Sequence, residues 1–572
     1  MRVPYPRTPH LPWSPGAAAD DIRSGDLSAL AGAEVVVTEK LDGENTTLYP
    51  DGLHARSLDS GHHPSRAWVK GLQGRIGPRI PAGWRICGEN LYARHSLAYT
   101  DLDSWFHGFS VWTGRDRCLG WDATVRFLHR LGVPTPRVLW RGRYDERAIR
   151  ALRLDPERQE GYVVRTADGF DQAEFGRRVA KWVRPHHVRT DTHWMHAAVV
   201  ENGLGPNSAL WHVRSGGAPD GAGLAAALGR APFTGLDEVT ARLDALGRTG
   251  DARLDGVLAY ALRAEHRPAL LPALARPLGL PQARRIADLV GLHPRPAQPY
   301  PDERRRAGLT ALAAAADLGV LHAVAAAALP AAEQEVAWSA LHAEDAGLLG
   351  PDPLGRLRTG LREALAGLDP DVRDRCWAHA REAYGLGRIS TVEEAVAATW
   401  AWRDGRFPRL THLCGPSGSG KSTHAATLPG TRISLDELRA ARGSRAEQRD
   451  NPELLRAGLT ALEAALADGG TAVWDATSLN RHQRAHVHAV AERRGALLTQ
   501  VVTVVDEAEL LRRNAVRPHP VPAEVLTAQL HRWSPPYPGQ AHRTRYLDAD
   551  GRVADSAGSL DAADSPTGSE ED

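Results

Sequence analysis

The stretch Leu413–Thr423, "LCGPSGSGKST", restricts the fold of this chain more tightly than any other segment of its length. It follows the strand-like run "RLTHL" and opens a segment of helical pattern, so it joins a strand to a helix. Gly415, Gly420, Lys421 and Ser422 match G-x-x-x-x-G-K-[ST], and Ser417, Gly418 and Thr423 complete the loop. Glycines there let backbone N–H groups converge on phosphate oxygens at a helix N-terminus that already favours anions. The Lys421 ammonium is placed to reach nucleotide β- and γ-phosphates, and the Ser422 hydroxyl to ligate a divalent cation. A strand feeding such a loop belongs to a parallel sheet covered by helices. An α/β domain is therefore expected over 396–550.

The bland reading of that loop is a glycine turn with no ligand. Composition weighs against it. The chain has 70 Lys plus Arg, and only Lys40, Lys70, Lys181 and Lys421 are lysines. Arginine serves nearly every cationic role, so a retained lysine marks a position that needs a compact or a neutral amine. Lys40 sits in "EKLDGENTTLY", between two strand-like runs, and Lys181 in "RVAKWVR". Lys70, in "SRAWVKG", has no assigned task and is read either as a contact to phosphate or as a surface residue.

The texture of the chain changes twice along its 572 residues. Short strand-like runs broken by turns fill 1–200, among them "AEVVVTEKL", "WRICGENLYA", "WFHGFSVW" and "EGYVVRT", with "PDG" as a hairpin turn. Helical Ala/Leu/Arg periodicity occupies 201–395. The tail 551–572 is acidic and rich in small residues and reads as disordered. The expected class is thus multidomain: an antiparallel-sheet α+β domain, a helical middle domain and a parallel α/β domain. The net charge of +1 argues against a general polyanion coat. Four scattered cysteines without metal-ligand spacing, no signal core and no apolar run of 18 residues lead to the expectation of a reduced, cytoplasmic protein without a membrane partner.

Further residues join the loop at the C-terminal end. "ISLDELR" places Asp436 and Arg439 just past the next strand, "AVWDATS" places Asp475 at the end of another, and "LLRRNAVRPHPVP" carries Arg513 and Arg517 on a polar segment. The combination resembles the 5′-hydroxyl polynucleotide kinase family. That resemblance implies Asp436 as general base, Arg439 and Asp475 at the acceptor or metal side, and Arg513 and Arg517 as a lid over the phosphates, with Arg517 catalytic. "YLDADGRVAD" at 546–555 looks like the start of a phosphatase domain, but too little chain follows to bury such a core.

At the N-terminal end, Lys-x-Asp-Gly followed by an Arg-Ser one hairpin later resembles the covalent nucleotidyltransferases, the ligases and capping enzymes. Glu89 in "CGENLYA", Phe109 in "WFHGFSVW", Glu160 in "EGYVVR" and Lys181 follow in that family's order. The resemblance implies that Lys40 attacks the α-phosphate of ATP, with Asp42 and Gly43 beside it. Arg56 would then contact the nucleotide or end phosphate, Glu89 the ribose and Phe109 the adenine face. Glu160 would hold the metal and Lys181 neutralise the α-phosphate. The family's second basic residue is Val183 here, with Arg184 as its substitute. A nucleophilic amine must be neutral, so a lowered Lys40 pKa is expected.

No alternating strands follow Lys181, which favours an RNA ligase over the barrel-bearing DNA ligases and capping enzymes. The expectation is a bifunctional RNA end-repair enzyme that uses ATP and Mg²⁺ or Mn²⁺. It phosphorylates 5′-OH ends and seals 5′-phosphate to 3′-OH through lysyl-AMP and RNA-adenylate. Its substrates are broken RNAs, cleaved tRNA among them, and a separate phosphatase or cyclic phosphodiesterase heals the 3′ end. The alternatives are a DNA ligase or capping-like nucleotidyltransferase with a fused kinase, or a nucleotide-gated RNA-binding protein with relic sites. The middle helices either grip structured RNA through their arginines or present solvated faces.

Overall fold

The computed structural model describes residues 2–18, 21–58, 62–185, 198–441, 451–517 and 520–561. They form two compact units, Met1–Leu254 and Asp255–Asp572.

Ten strands build the first unit: β1 (Glu34–Lys40), β2 (Glu44–Tyr49), β3 (Gly52–Ala55), β4 (Arg85–Asn90), β5 (Phe106–Trp112), β6 (Arg117–Cys118), β7 (Val138–Arg143), β8 (Gly161–Thr166), β9 (Phe170–Asp171) and β10 (Val179–Val183). They divide into a four-stranded sheet, β10-β8-β1-β7, and a six-stranded sheet, β3-β2-β4-β5-β6-β9. Every strand pairing in both sheets is antiparallel. β1 reads EVVVTEK; Val35, Val36 and Val37 are fully buried, and Lys40 ends the strand where it leaves the core. The register of β1 on β8 sets Lys40 opposite Gly161, which brings Glu160 beside the lysine. The β2–β3 hairpin closes with Tyr49 opposite Gly52, and Gly52 takes a φ of 150° that a side chain would oppose. Helices Ser208–Arg214, Gly221–Leu228 and Asp237–Ala245 belong to this unit. The division falls within the helix Gly250–Ala261.

In the second unit, helices from Arg267 to Ala398 precede β11 (Arg409–Cys414), β12 (Thr431–Ser434), β13 (Thr471–Asp475), β14 (Leu497–Thr503), β15 (Arg543–Leu547) and β16 (Val553–Ala557). The sheet order is β12-β13-β11-β14-β15-β16, with the first five strands parallel. All seven residues of β14 are buried, as expected of a parallel strand covered on both faces.

Disorder expected from residue 551 is corrected as far as 561. β16 pairs antiparallel with β15, and the acidic "DADG" makes the turn: the Asp548 carboxylate accepts from the amides of Asp550 and Arg552, both at 2.9 Å. Leu560 is fully buried in a cluster with Leu361, Trp377, Ile389, Phe407 and Leu497. A hairpin turn and one buried leucine outweigh the composition of the segment; residues 562–572 lie outside the described residues. No single helix among the described residues is long and apolar enough to cross a membrane. All four cysteines are free and buried.

Candidate functional site

The first unit holds a cavity of about 630 Å3 lined by Lys40, Gly43, Arg56, Glu89, Phe109 and Lys181 among others. These residues come from separate strands and loops. Lys40 Nζ donates to Glu160 Oε2 at 2.5 Å. Gly43 fits where no other residue does, since a Cβ there would lie 2.6 Å from the Asn90 carbonyl oxygen. Its amide donates to Glu89 Oε1 at 3.2 Å. Asp42 acts as a strut: its carboxylate accepts from the Leu97 amide at 2.8 Å, and its own amide donates to the Tyr99 hydroxyl. Arg56, just past β3, is exposed at the rim.

The charge balance departs from the expectation of a lowered Lys40. Burial alone pulls the amine down, but Glu160, Glu89 and Asp42 outweigh it and hold Lys40 above the ordinary lysine range. Burial lowers Lys181, and the Lys40 charge lowers it further. Burial pushes the Glu89 carboxyl up to about 8, with Lys40 opposing and Glu160 and Asp42 reinforcing the rise. A raised carboxyl stabilises the fold fully below its unfolded value of 4.5, and that contribution is lost as pH climbs toward 8. Glu89→Gln removes the titration. The melting temperature of the variant minus that of the wild type should therefore rise steadily between pH 5 and pH 8; a flat difference would place Glu89 in an ordinary carboxylate environment.

Four contributors were not legible beforehand. Tyr5 meets the Phe109 ring edge-on at 5.2 Å between centroids. Arg165 lies 5.0 Å from the Trp121 ring and donates to the Phe109 carbonyl, fixing the strand that carries that ring. Glu44 and Arg66 form a buried pair at the cavity wall, with Arg66 Nε 2.7 Å from Glu44 Oε2. Arg184 is buried but does not line the cavity; its amide donates to the Glu160 carbonyl at 3.0 Å. Lys70 lies exposed on the helix Ala67–Ile76, away from the cavity.

The second unit places its glycine-rich loop at the C-terminal end of β11. Gly415, Gly418 and Gly420 all have positive φ, and a Cβ on Gly415 would lie 2.1 Å from Thr503 Oγ1. Lys421 is buried and folds back on the loop, donating to the Pro416 carbonyl at 2.6 Å. Burial lowers its amine to about 8 despite Asp475 and Asp436. The Ser422 hydroxyl, with Thr423 beside it on the helix Lys421–Ala425, donates to Asp475 Oδ1 at 3.3 Å. Arg432 holds the other Asp475 oxygen at 2.6 Å. Ser417 offers its amide to Gln529 Oε1 at 2.9 Å. Asp436 stands exposed on the first turn of the helix Leu435–Ala441, 2.7 Å from Arg439 Nη1. Arg513 is tied to Glu509 at 2.6 Å and to the Ala549 carbonyl at 2.7 Å. Arg517 lies two residues past the end of the helix Glu507–Ala515, exposed, and its charge lowers Lys421.

Among the described residues no group of three His, Cys, Asp or Glu side chains is placed to hold a metal alone. Magnesium bound with a nucleotide needs less, one or two carboxylates or a hydroxyl completed by phosphates and water. Glu160 in one unit, and Ser422 with Asp475 in the other, present such partial sets of hard oxygen donors.

Residues 33–183 match the RNA ligase family model and residues 410–536 match an AAA domain model. No curated protein matches the chain. Among solved structures, the Pnkp1/Rnl/Hen1 RNA repair complex is 21% identical over 22% of this chain and 44% of that chain, with a TM-score of 0.20. An RNA ligase of Naegleria gruberi, solved in a mutant form with ATP and Mn, is 17% identical over 28% of this chain and 52% of that chain (TM-score 0.21). A gluconokinase from Sinorhizobium meliloti is 24% identical over 26% of this chain and 87% of that chain (TM-score 0.21). The chain thus spans about half the length of the repair-complex and ligase chains.

Proposed function

We propose that this chain, with an RNA ligase domain near its start and a P-loop AAA domain toward its end, is an ATP-dependent RNA end-repair enzyme with two active sites. The observation that carries the reading is the convergence of Lys40, Glu89 and Lys181 on one cavity, with Glu160 bonded to the lysine. Such a site suits attack of the Lys40 amine on the α-phosphorus of ATP: an N–P bond forms and pyrophosphate leaves. Glu160 holds the amine in line, and Lys181 offsets charge on the phosphate. Lys40 must lose its proton first, and the three nearby carboxylates oppose that. A divalent cation bound at Glu160 would supply positive charge that lowers the amine pKa.

In the second site, loop amides and Lys421 cradle the triphosphate, and Asp436 takes the proton of an incoming 5′-hydroxyl. Ser422, steadied by Asp475, is the cation ligand. Helices rather than alternating strands follow β10 among the described residues, which supports RNA sealing over a barrel-bearing DNA ligase or capping enzyme. The substrates proposed are RNAs with a 5′-OH break, cleaved tRNA included, after a separate phosphatase or cyclic phosphodiesterase has freed the 3′ end.

The direct test is to incubate the full chain with ATP, Mg²⁺ and a nicked RNA bearing 5′-OH and 3′-OH ends. Sealed product dependent on both Lys40 and Lys421 is expected. Sealing of pre-phosphorylated ends only would remove the kinase half of the proposal. Lys70, exposed outside the cavity, should be replaceable: Lys70→Arg should leave both AMP transfer and sealing within about twofold of wild type. A larger loss would assign it to the RNA end.

A further inference from the structure

A second large cavity, about 700 Å3, lies within the second unit, away from the glycine-rich loop. Its walls are the helix Arg481–Arg493, the segment 291–315 and the loop Ser534–Gln540. Three arginines line it: Arg295, Arg481 and Arg484. None of them forms an ion pair among the described residues. Arg295 bonds only to the Gln298 side-chain oxygen, and Arg484 only to the Ser478 and Ser534 carbonyls.

Arg484 is the telling member. Its side chain is 2% exposed, and its Nε has no hydrogen-bond partner among the described residues. Burial holds its guanidinium below the ordinary arginine range, Arg267 and Arg481 push the same way, and the groups that oppose them, Cys414 and Tyr546, are not carboxylates. A buried guanidinium without a counter-charge is costly, and the cost is relieved when an anion enters beside it. Among the described residues Glu492 is the one acid on the cavity wall, three turns along the helix from Arg481.

Two tyrosines complete the lining. Tyr300 presses against Gly308, where a Cβ would lie 2.5 Å from the ring, and Tyr537 against Gly291, where it would lie 2.3 Å from the hydroxyl. Arg267, held by Asp288, stacks on Tyr537 at 3.6 Å from the ring centroid. The rings are therefore fixed by close helix approaches. Fixed aromatic faces beside unpaired arginines are the combination that takes up a base and its phosphate. The Thr477 carbonyl, four residues before Arg481, accepts the Gly415 amide at 2.9 Å, so the segment leading into the helix that carries Arg481 and Arg484 is tied to the glycine-rich loop.

We propose that this cavity is a second nucleotide site, taking the base and phosphate of a nucleoside monophosphate unit. The unit comes either from a single-stranded RNA or from free nucleotide. The RNA source rests on the function proposed above, and the free source does not.

Two probes separate the sources: an eight-nucleotide 5′-OH RNA containing 4-thiouridine, and 8-azido-AMP. Each is photo-crosslinked to the full chain carrying Lys421→Ala, which disables the P-loop. One probe should label the peptide bearing Tyr300 or Tyr537. Arg481→Glu alters an exposed side chain and should leave the melting temperature unchanged, while weakening binding of that probe at least about tenfold, the worth of a charged hydrogen bond. Arg295→Glu should act in the same direction. Labelling by RNA identifies a strand path, and labelling by the azido nucleotide identifies a free-nucleotide site. If neither probe labels these peptides, or if both charge reversals leave affinity unchanged, the site does not exist. Labelling by RNA in a protein whose wild type fails to phosphorylate that RNA would overturn the kinase reading and keep this one.

Discussion

Lys40→Arg should abolish the proposed transfer of AMP to the protein, and with it the sealing of 5′-phosphate ends. The substitution keeps charge and most of the volume, so the contact to Glu160 at 2.5 Å has a replacement and the fold is preserved. It removes the one property the reaction needs, because a guanidinium does not give up its proton near neutral pH. The expected loss exceeds about a thousandfold, the scale on which deleting a covalent nucleophile acts. With ATP labelled in the α-phosphate, the wild type should acquire an acid-labile, base-stable label and the variant none. Phosphorylation of 5′-OH RNA should continue at the wild-type rate, since Lys421 and Asp436 lie in the other unit. Label retained on Lys40→Arg would end the ligase assignment. The pH profile carries a second signature. Three carboxylates hold Lys40 protonated, so labelling should increase with pH until the amine is free, and more divalent cation should shift that rise to lower pH.

Asp436→Asn is the matching change in the second unit. Asp436 is exposed, at 80% of its side-chain surface, and its partner is Arg439 on the next turn. Among the described residues its side chain bonds only the Arg439 guanidinium, and although its charge raises the buried Lys421 amine, ATP affinity should stay within about twofold. Loss of a general base costs about 100- to 10,000-fold in kcat. Single-turnover phosphorylation of a 5′-OH oligonucleotide, with nucleotide affinity measured separately, resolves the two quantities. A parallel fall in ATP affinity would make Asp436 a metal or nucleotide ligand instead.

Lys40, Glu89, Glu160, Lys181 and the P-loop could be picked out in the sequence because each lies in or beside a strand whose hydrophobic pattern is local. Tyr5 and the Glu44–Arg66 pair could not be found that way. Tyr5 belongs to an irregular N-terminal segment, and its meeting with Phe109 depends on a tertiary path that no periodicity encodes. Glu44 stands in the very stretch that holds Lys40, yet its partner is fixed only by where the helix after Arg66 begins. The direction of the Lys40 shift failed for a related reason. It depends on the sum of burial and three carboxylates, and a reading that looked to neighbouring positive charge alone missed their weight. The tail was misjudged because composition was weighed without the turn chemistry of Asp548.

The burial of Leu560 among Leu361, Trp377 and Phe407 has a thermodynamic meaning. The last described residues of the sheet and the helices that precede it share a single apolar interior. Arg284 on the helix Leu280–Leu292 also bonds Asp555 of β16 at 2.5 Å, and Arg543 of β15 bonds Asp374 at 2.9 Å. Neither layer can lose its order without exposing the surface of the other. The helices and the sheet of the second unit should therefore stabilise one another. Excision at 396 or at 550 would cut through that unit, leaving β15 as a raw sheet edge and the helices with an unfilled interior. A P-loop sheet cut free of its helical half should be less stable than the intact unit.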